Sequence, residues 1–168
     1  MTIRLLATIT LITATSMTAF GQVQFGGQLG LAFDNSDLYI GANAVFPSPW
    51  ELNDQTVQFN PEVNFYFLED SPVFDQSLMV IALNGLLPLG LEFANTYVGA
   101  GVLLSFYKAD FETDLIGDDF DDTDVGLNAK LGIDFGKEDS TIIPWVEGGV
   151  HIVDGGGLYV QGGARVAL

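Results

Sequence analysis

The sequence predicts an all-β protein, an eight-stranded antiparallel up-and-down transmembrane β-barrel. Eight segments of about ten residues alternate between apolar residues and polar or small residues, which is the period of a β-strand with two different faces. The mean hydropathy is positive, at +0.34, and only 16% of the residues are charged, yet the net charge is −17. Such a chain keeps its acidic residues in loops and its apolar residues in strands, as membrane barrels do.

The N-terminal segment MTIRLLATITLITATSMTAFG has the layout of a secretory signal peptide. A single cation, Arg4, precedes an uncharged, mostly apolar stretch that ends in the small-x-small triplet AFG. A permanent membrane anchor is the alternative, but it needs about 20 strongly apolar residues, and this segment is short and rich in threonine. We therefore predict a signal peptide over residues 1–21 and a barrel domain over residues 22–168, with Gln22 as the mature start.

The eight segments follow one another with hairpin-length connections. The first two, VQFGGQLGLAF and DLYIGANAVF, flank the turn DNSD, and the third contains FNPEVNFYF, with apolar odd and polar even positions. The fourth, SLMVIALNGLL, alternates least clearly, and Asn, Gly and Pro interrupt its apolar run too early for a membrane helix. TYVGAGVLLSFYK and VGLNAKLGIDF follow, then TIIPWVEGGVHIV and LYVQGGARVAL. The predicted strands span residues 23–33, 37–46, 56–68, 77–87, 96–108, 125–135, 141–153 and 158–168.

The apolar face of these strands is predicted to point outward. A soluble barrel fills its interior with the apolar set and would place Lys, Glu and Thr on the other face. Here the other face carries Gly, Asn, Gln, Tyr and Ser, which suit a confined interior, and the strands are long enough to cross a bilayer at a tilt. Aromatic residues at strand ends are then expected to form two girdles: Phe33, Phe46, Trp50, Phe67, Phe93, Phe106 and Phe135.

A resemblance to a known family rests on five features that follow one another along the chain. They are FNPEVNFYF, TYVGAGVLLSFY, DVGLNAKLGIDFG, IIPWVEGGV and a glycine-containing last strand. The sequence resembles small outer-membrane β-barrel proteins of the OmpA/OmpX-like superfamily (outer membrane protein beta-barrel domain and porin-like families). The resemblance implies an outer-membrane location in a Gram-negative bacterium, with periplasmic termini. It also implies contact with outer-membrane lipid, periplasmic chaperones and barrel-assembly machinery as partners in biogenesis, and a monomer. Leu168 replaces the usual terminal aromatic residue, and we interpret it as a variant assembly signal.

Four charged residues fall on the predicted inward face: Glu62, Lys130, Glu147 and Arg165. Tight turns would place Lys130 opposite Glu147 and Glu147 opposite Arg165, with Glu62 approaching across the lumen. Unpaired charges in a confined interior are strongly disfavoured, so we predict a lumen charge network with Glu147 as its shared member. The alternative is that lumen water hydrates each charge separately. The resemblance implies that such a network seals or gates the lumen.

The acidic segment over residues 109–124 is a weak candidate for divalent-cation binding, because Ca²⁺ prefers carboxylate ligands. An EF-hand loop counted from Asp119 would need glycine at its sixth position and glutamate at its twelfth, where the sequence has Asp124 and Lys130. A solvated extracellular loop is the alternative. The candidate ligands are Asp118, Asp119, Asp121, Asp122 and Asp124.

The composition also limits the function. The net charge argues against nucleic acid as a partner, the absence of cysteine excludes disulfides and thiol chemistry, and no cofactor is predicted. Some barrels of the type it resembles are lipid A hydrolases with a lipid-facing Ser–His pair, but the single histidine, His151, is predicted to point inward. We therefore expect a non-enzymatic barrel, with a plugged lumen and an envelope-structural or loop-binding role. A small porin or channel is the alternative, and a lipid-modifying enzyme is a lower one.

Overall fold

The computed structural model describes residues 23–34, 37–68, 74–89, 91, 95–111, 120–136, 140–154 and 156–168. Within them, eight strands form one closed antiparallel barrel, in which each strand pairs with its sequence neighbours and the first pairs with the last. The strands are β1 (Gln24–Ala32), β2 (Asp37–Leu52), β3 (Gln55–Phe67), β4 (Phe74–Pro88), β5 (Asn95–Phe111), β6 (Phe120–Asp134), β7 (Ile142–Ile152) and β8 (Leu158–Ala167). The predicted fold class is confirmed. The predicted signal peptide and Phe93 lie outside the described residues.

The up-and-down order gives the barrel two different ends. The start of β1 and the end of β8 lie at one end, together with the β2–β3, β4–β5 and β6–β7 connections; we call it the terminal end. The other four connections lie at the opposite, distal end. In the ranges given above, no helix has the length and hydropathy needed to cross a membrane.

The apolar face of the strands points outward, as predicted. In β3 the side chains of Asn60, Glu62, Asn64 and Tyr66 are at most 9% exposed, whereas Phe67 is 62% exposed. The same alternation holds along β6 and β8, because successive side chains of a strand point to opposite faces of the sheet. The closed sheet therefore has an apolar outside and a largely polar lumen. The exception is a buried apolar region that includes Val80, Ala82 and Leu86 of β4 and Leu103 of β5.

The β2–β3 hairpin is longer than predicted. Residues 47–55 were expected to form a loop, but β2 continues to Leu52 and β3 begins at Gln55. The turn consists of Asn53 and Asp54, whose φ angles of 51° and 61° match a two-residue turn of type I′, for which Asn and Asp are favoured. A register shift between Pro47 and Glu51 leaves Pro49 out of the regular pairing, and strands tolerate proline at such irregularities.

The acidic connection between β5 and β6 is shorter than predicted. Strand β5 continues to Phe111 and β6 begins at Phe120, so both ends of the predicted 109–124 loop belong to strands. Residues 112–119 lie outside the described part of the chain.

Candidate functional site in the barrel lumen

The structure brings the four predicted charges to the inner face of the barrel. Glu62 lies on β3, Lys130 on β6, Glu147 on β7 and Arg165 on β8, and each is only 1–5% exposed. Each lies at one of the alternate positions of its strand whose side chains point into the barrel. Because the interior of an eight-stranded barrel is narrow, these side chains lie close together.

Lys130 is the shared member of this group. Its ammonium forms ion pairs with Glu62 and with Glu147, the latter with Nζ 3.0 Å from Oε1. It also donates a hydrogen bond to Asn60 Oδ1 at 2.7 Å. All three N–H donors of the lysine therefore have an acceptor, and one cation compensates two buried carboxylates. The prediction that Glu147 is the shared member is wrong.

Glu147 extends the group through neutral side chains. Its Oε1 also accepts a hydrogen bond from Gln161 Nε2 at 2.5 Å, and its Oε2 accepts one from the hydroxyl of Tyr97 at 2.8 Å. Both carboxylate oxygens are thus occupied, which is the condition under which a buried charge is tolerated.

Arg165 pairs with Asp134 instead of Glu147. Its Nη1 lies 3.0 Å from Asp134 Oδ1, and its guanidinium carbon lies 4.6 Å from the centroid of the Trp145 ring. Its Nη2 donates to the Tyr97 hydroxyl at 3.3 Å, so this tyrosine links the two ion-paired groups. Asp134 was missing from the predicted network, although it lies four residues after Lys130 on β6 and therefore on the same inward face.

The predicted strand registers are wrong, although the predicted faces are right. Lys130 lies opposite Gly149, not Glu147, and Glu147 lies opposite Gln161, not Arg165. Both registers differ from the prediction by an even number of residues, and an even shift leaves every side chain on its face. Lys130 reaches Glu147 diagonally on the neighbouring strand β7, whereas it reaches Glu62 on β3 across the lumen. Arg165 on β8 reaches Asp134 on β6 past the intervening strand β7.

Side-chain amides and tyrosine hydroxyls fill the lumen around the charges. Gln28 donates a hydrogen bond to Asn64 at 2.6 Å and accepts one from Asn43 at 2.5 Å. A second chain of such bonds joins Asn84, Asn128 and Tyr159. Because these buried groups satisfy one another, the polar lumen is a packed interior.

Bulky inward side chains lie over glycines of the neighbouring strand. Tyr97 lies opposite Gly132, and a Cβ added to Gly132 would lie 2.2 Å from the tyrosine Cζ. Tyr39 covers Gly30 in the same way, at 2.1 Å. Pairing an aromatic ring with a cross-strand glycine gives the ring room inside the barrel.

We expect Gly132→Ala to lower the free energy of unfolding by about 1–3 kcal/mol, the usual cost of overpacking. The new methyl group would displace the ring of Tyr97, which binds both Glu147 and Arg165. Urea titration of the refolded barrel measures the loss. Gly148→Ala is the matched control, because the nearest atom to its added Cβ is 3.5 Å away. Equal losses in the two variants would contradict this packing argument.

The distal end of the lumen opens into a cavity of about 290 Å³, which we call the vestibule. Asp122, Asp124 and His151 line it, and the His151 ring stacks on Tyr159 with 4.4 Å between centroids. His151 therefore lies inside the barrel, away from the outer surface.

The other three candidate cation ligands cannot be placed relative to Asp122 and Asp124. Asp118 and Asp119 lie outside the described residues, as does the side chain of Asp121. In the part of the chain that the structure describes, no three His, Asp or Glu residues are arranged to hold a metal ion.

Comparison with known proteins identifies the fold. No protein-family model and no curated protein matches the sequence. Among solved structures, the N-terminal β-barrel domain of Pseudomonas aeruginosa OprF matches with a TM-score of 0.63 and 12% identity, over 88% of this chain and 98% of that one. Ail, the attachment invasion locus protein of Yersinia pestis, matches with a TM-score of 0.60 and 12% identity, over 89% and 98%.

Neisserial surface protein A matches with a TM-score of 0.53 and 15% identity, over 88% of this chain and 95% of that one. At these identities the likeness concerns the fold alone. This chain has the closed eight-stranded barrel fold of the small outer-membrane proteins of the OmpA/OmpX-like type.

Proposed function

We propose that this chain is a non-enzymatic, monomeric barrel of the outer membrane of a Gram-negative bacterium, with an envelope-structural or ligand-binding role. The observation that carries the proposal is the inverted distribution of polarity, with charges buried in the lumen and large apolar side chains on the outside. Its export would depend on the signal peptide over residues 1–21, and its insertion on periplasmic chaperones and the barrel-assembly machinery.

The side chains exposed on the outer surface of the barrel support the proposal that it contacts lipid. Leu29 is 66% exposed and Leu131 is 55% exposed, and such residues recur at alternate positions around the barrel. A contiguous apolar surface of this extent is rare on soluble monomers. Exposed aromatic residues lie at both ends, Phe33 and Phe67 at the distal end and Trp50 and Phe135 at the terminal end, as expected for interfacial girdles.

The closed lumen supports a structural or binding role over conduction. The ion pairs of Lys130 and Arg165 span the interior, and eight strands leave an interior just wide enough for side chains to fill. The small-channel alternative would require this group to separate. A lipid-facing Ser–His pair, which the hydrolase alternative requires, is not supported by the inward position of His151.

The charge of the chain bears on what it could bind. Ail has been crystallised in complex with the heparin analogue sucrose octasulfate, a polyanion. This chain carries a net charge of −17, and like charges across an interface cost several kcal/mol. We infer that this chain does not share that ligand class.

Location and closure can be tested on the full-length chain. Expressed in a Gram-negative host, it should fractionate with the outer membrane, begin at Gln22, and migrate differently on a gel when unboiled, because a folded barrel resists detergent until it is heated. In planar bilayers the purified barrel should show no steady conductance above that of the lipid. Recovery as a soluble periplasmic protein would overturn the location, and a reproducible open-channel current would overturn the closed lumen.

A further inference from the structure

Strand β6 extends past its neighbour β7 at the distal end of the barrel. Its pairing with β7 begins where Leu127 lies opposite Ile152, the last residue of β7, whereas its pairing with β5 continues to Phe120. In the described part of the chain, residues 120–126 of β6 therefore have a strand on one side only, and we call them the free edge. The other edge of the same projection, residues 74–77 of β4, is shorter.

Alternate residues of the free edge direct their backbone groups away from β5. The amide of Phe135 donates to the carbonyl of Pro144 on β7, and residues an even number of positions apart on a strand bond to the same side. The backbone groups of Thr123 and Val125 therefore point toward the space beyond the end of β7. The Thr123 amide donates to Asp122 Oδ1 at 2.8 Å, so a side chain takes the place of a strand there. The free edge thus offers backbone donors and acceptors to an added strand.

The free edge is protected by charge and not by proline. A comparable projection at the terminal end, residues 46–52 of β2, carries Pro47 and Pro49, and proline cannot donate to an added strand. Residues 120–126 contain no proline and no lysine, but they include three aspartates. Such an edge repels an acidic strand, a second copy of itself included, and attracts a basic one.

The vestibule adds negative charge beside the free edge. Asp122 and Asp124 line it together with three carboxylates from the β1–β2 turn, β2 and the end of β7, which are Asp34, Asp37 and Asp154. No lysine or arginine is among its described lining residues. A region that carries one sign of charge concentrates partners of the other sign, so the free edge favours a cationic partner.

The two faces of the free edge differ. Asp122 and Asp124 lie on its inner face, whereas Val125 is 74% exposed on its outer face. An open notch of about 380 Å³ lies where β6 passes the end of β7, between Val125 and Ile152. The next outer residue, Thr123, is polar and exposed, so the apolar outer series ends at Val125 and the edge continues into water.

These faces determine the pattern that an added strand needs. In antiparallel pairing, residues that lie opposite each other place their side chains on the same face. One alternate set of side chains would therefore lie beside Asp122 and Asp124, and the other set would lie beside Thr123 and Val125. The first set has to be cationic, and the second set can be apolar.

We propose that the free edge of β6 binds a cationic peptide segment in an extended conformation, which adds to the sheet as an antiparallel strand. Lysine or arginine at alternate positions pairs with Asp122 and Asp124, and apolar residues between them contact Val125. In this mode of recognition the backbone hydrogen bonds give affinity and the alternate side chains give specificity. The inference deepens the binding role proposed above and rests on it, since it assigns that role to one strand edge and gives the chemical class of the ligand.

The test is calorimetric titration of the refolded barrel in uncharged detergent micelles with the capped peptide KVKVKVK, at about 0.15 M salt so that diffuse attraction is screened. Saturable binding of one peptide per barrel is expected. The same peptide with N-methylated valine amides should not bind, because those amides would face Thr123 and Val125 across the new ladder. The peptide EVEVEVE should not bind either, because its side chains would repel Asp122 and Asp124.

Thr123→Pro tests the backbone contact. It removes an amide that faces the free side and leaves the pairing of β6 with β5 in place, so the barrel should fold but bind the peptide about tenfold more weakly or worse. Thr123→Val is the matched control, since it keeps that amide, and it should leave binding unchanged. Replacing Asp122 and Asp124 together with asparagine should weaken binding several-fold, because exposed ion pairs contribute modestly. Asp54→Asn neutralises an exposed carboxylate at the opposite end and should have no effect.

Several outcomes would overturn the proposal. Absence of saturable binding would do so, as would binding that Thr123→Pro or valine N-methylation leaves unaltered, which indicates charge attraction without strand addition. Dimerisation of the barrel that Thr123→Pro abolishes would show that a second copy, and not a basic peptide, occupies the edge. Gel migration of each unboiled sample shows whether the barrel is intact, which separates failure of this site from failure of the barrel assignment.

Discussion

Replacing Lys130 with methionine is expected to lower the free energy of unfolding by about 3–5 kcal/mol, the usual cost of removing one partner from a buried ion pair. Methionine keeps most of the side chain's volume but leaves Glu62 and Glu147 without their shared cation. Urea titration of the barrel refolded in lipid vesicles measures the effect. Glu62→Gln and Glu147→Gln should each cost less, because Lys130 then keeps one carboxylate.

The double variant Lys130→Met, Glu62→Gln tests whether these residues act as a unit. Its loss should be smaller than the sum of the two single losses, because coupled residues are not additive. Lys108→Met is the control. It removes an exposed lysine of β5, and because interactions of an exposed charge contribute about 0–1 kcal/mol, it should change stability much less. Strictly additive losses would show that each charge is hydrated separately.

Replacing Leu131 with arginine is expected to cost about 2–4 kcal/mol, the value for a cation at the lipid midplane of a membrane barrel. Leu131 is 55% exposed and lies near the middle of the outward apolar positions of β6 between Val125 and Phe135. The charge would have to leave water for hydrocarbon when the barrel folds into vesicles. The same urea titration in vesicles measures this cost.

Leu158→Arg is the matched control for this substitution. Leu158 is 62% exposed, but it is the first residue of β8, at the distal rim. Near an interface the cost of a cation falls to about 0–1 kcal/mol. Similar costs at Leu131 and Leu158 would mean that the exposed apolar surface does not contact lipid.

The faces of the strands were predictable because each strand separates two different environments. In β3 and β6 the alternation of apolar and polar residues is nearly unbroken, and it correctly assigns Glu62 and Lys130 to the lumen. Period-two alternation depends only on the local geometry of a strand, so it can be read without knowledge of the neighbouring strands.

The partners inside the lumen were not predictable from the same pattern. Which residues meet depends on turn lengths and on the stagger of strands around the closed barrel, neither of which alternation encodes. The pairing of Arg165 with Asp134 and the sharing of Lys130 by two carboxylates follow from that stagger. The vestibule could not be predicted either, because its carboxylates come from separate strands and turns that are adjacent only in the folded barrel.

The pairing of β1 with β8 limits how this chain can fold. Gln24 lies opposite Ala167, so the two strands that close the barrel are far apart in sequence. Such contacts form late, because the loop-closure entropy is lost before the contacts are gained. Until β8 arrives, β1 and β7 are open edges, which promote aggregation in water and are not tolerated in lipid. The chain therefore has to remain unaggregated until β8 pairs with β1.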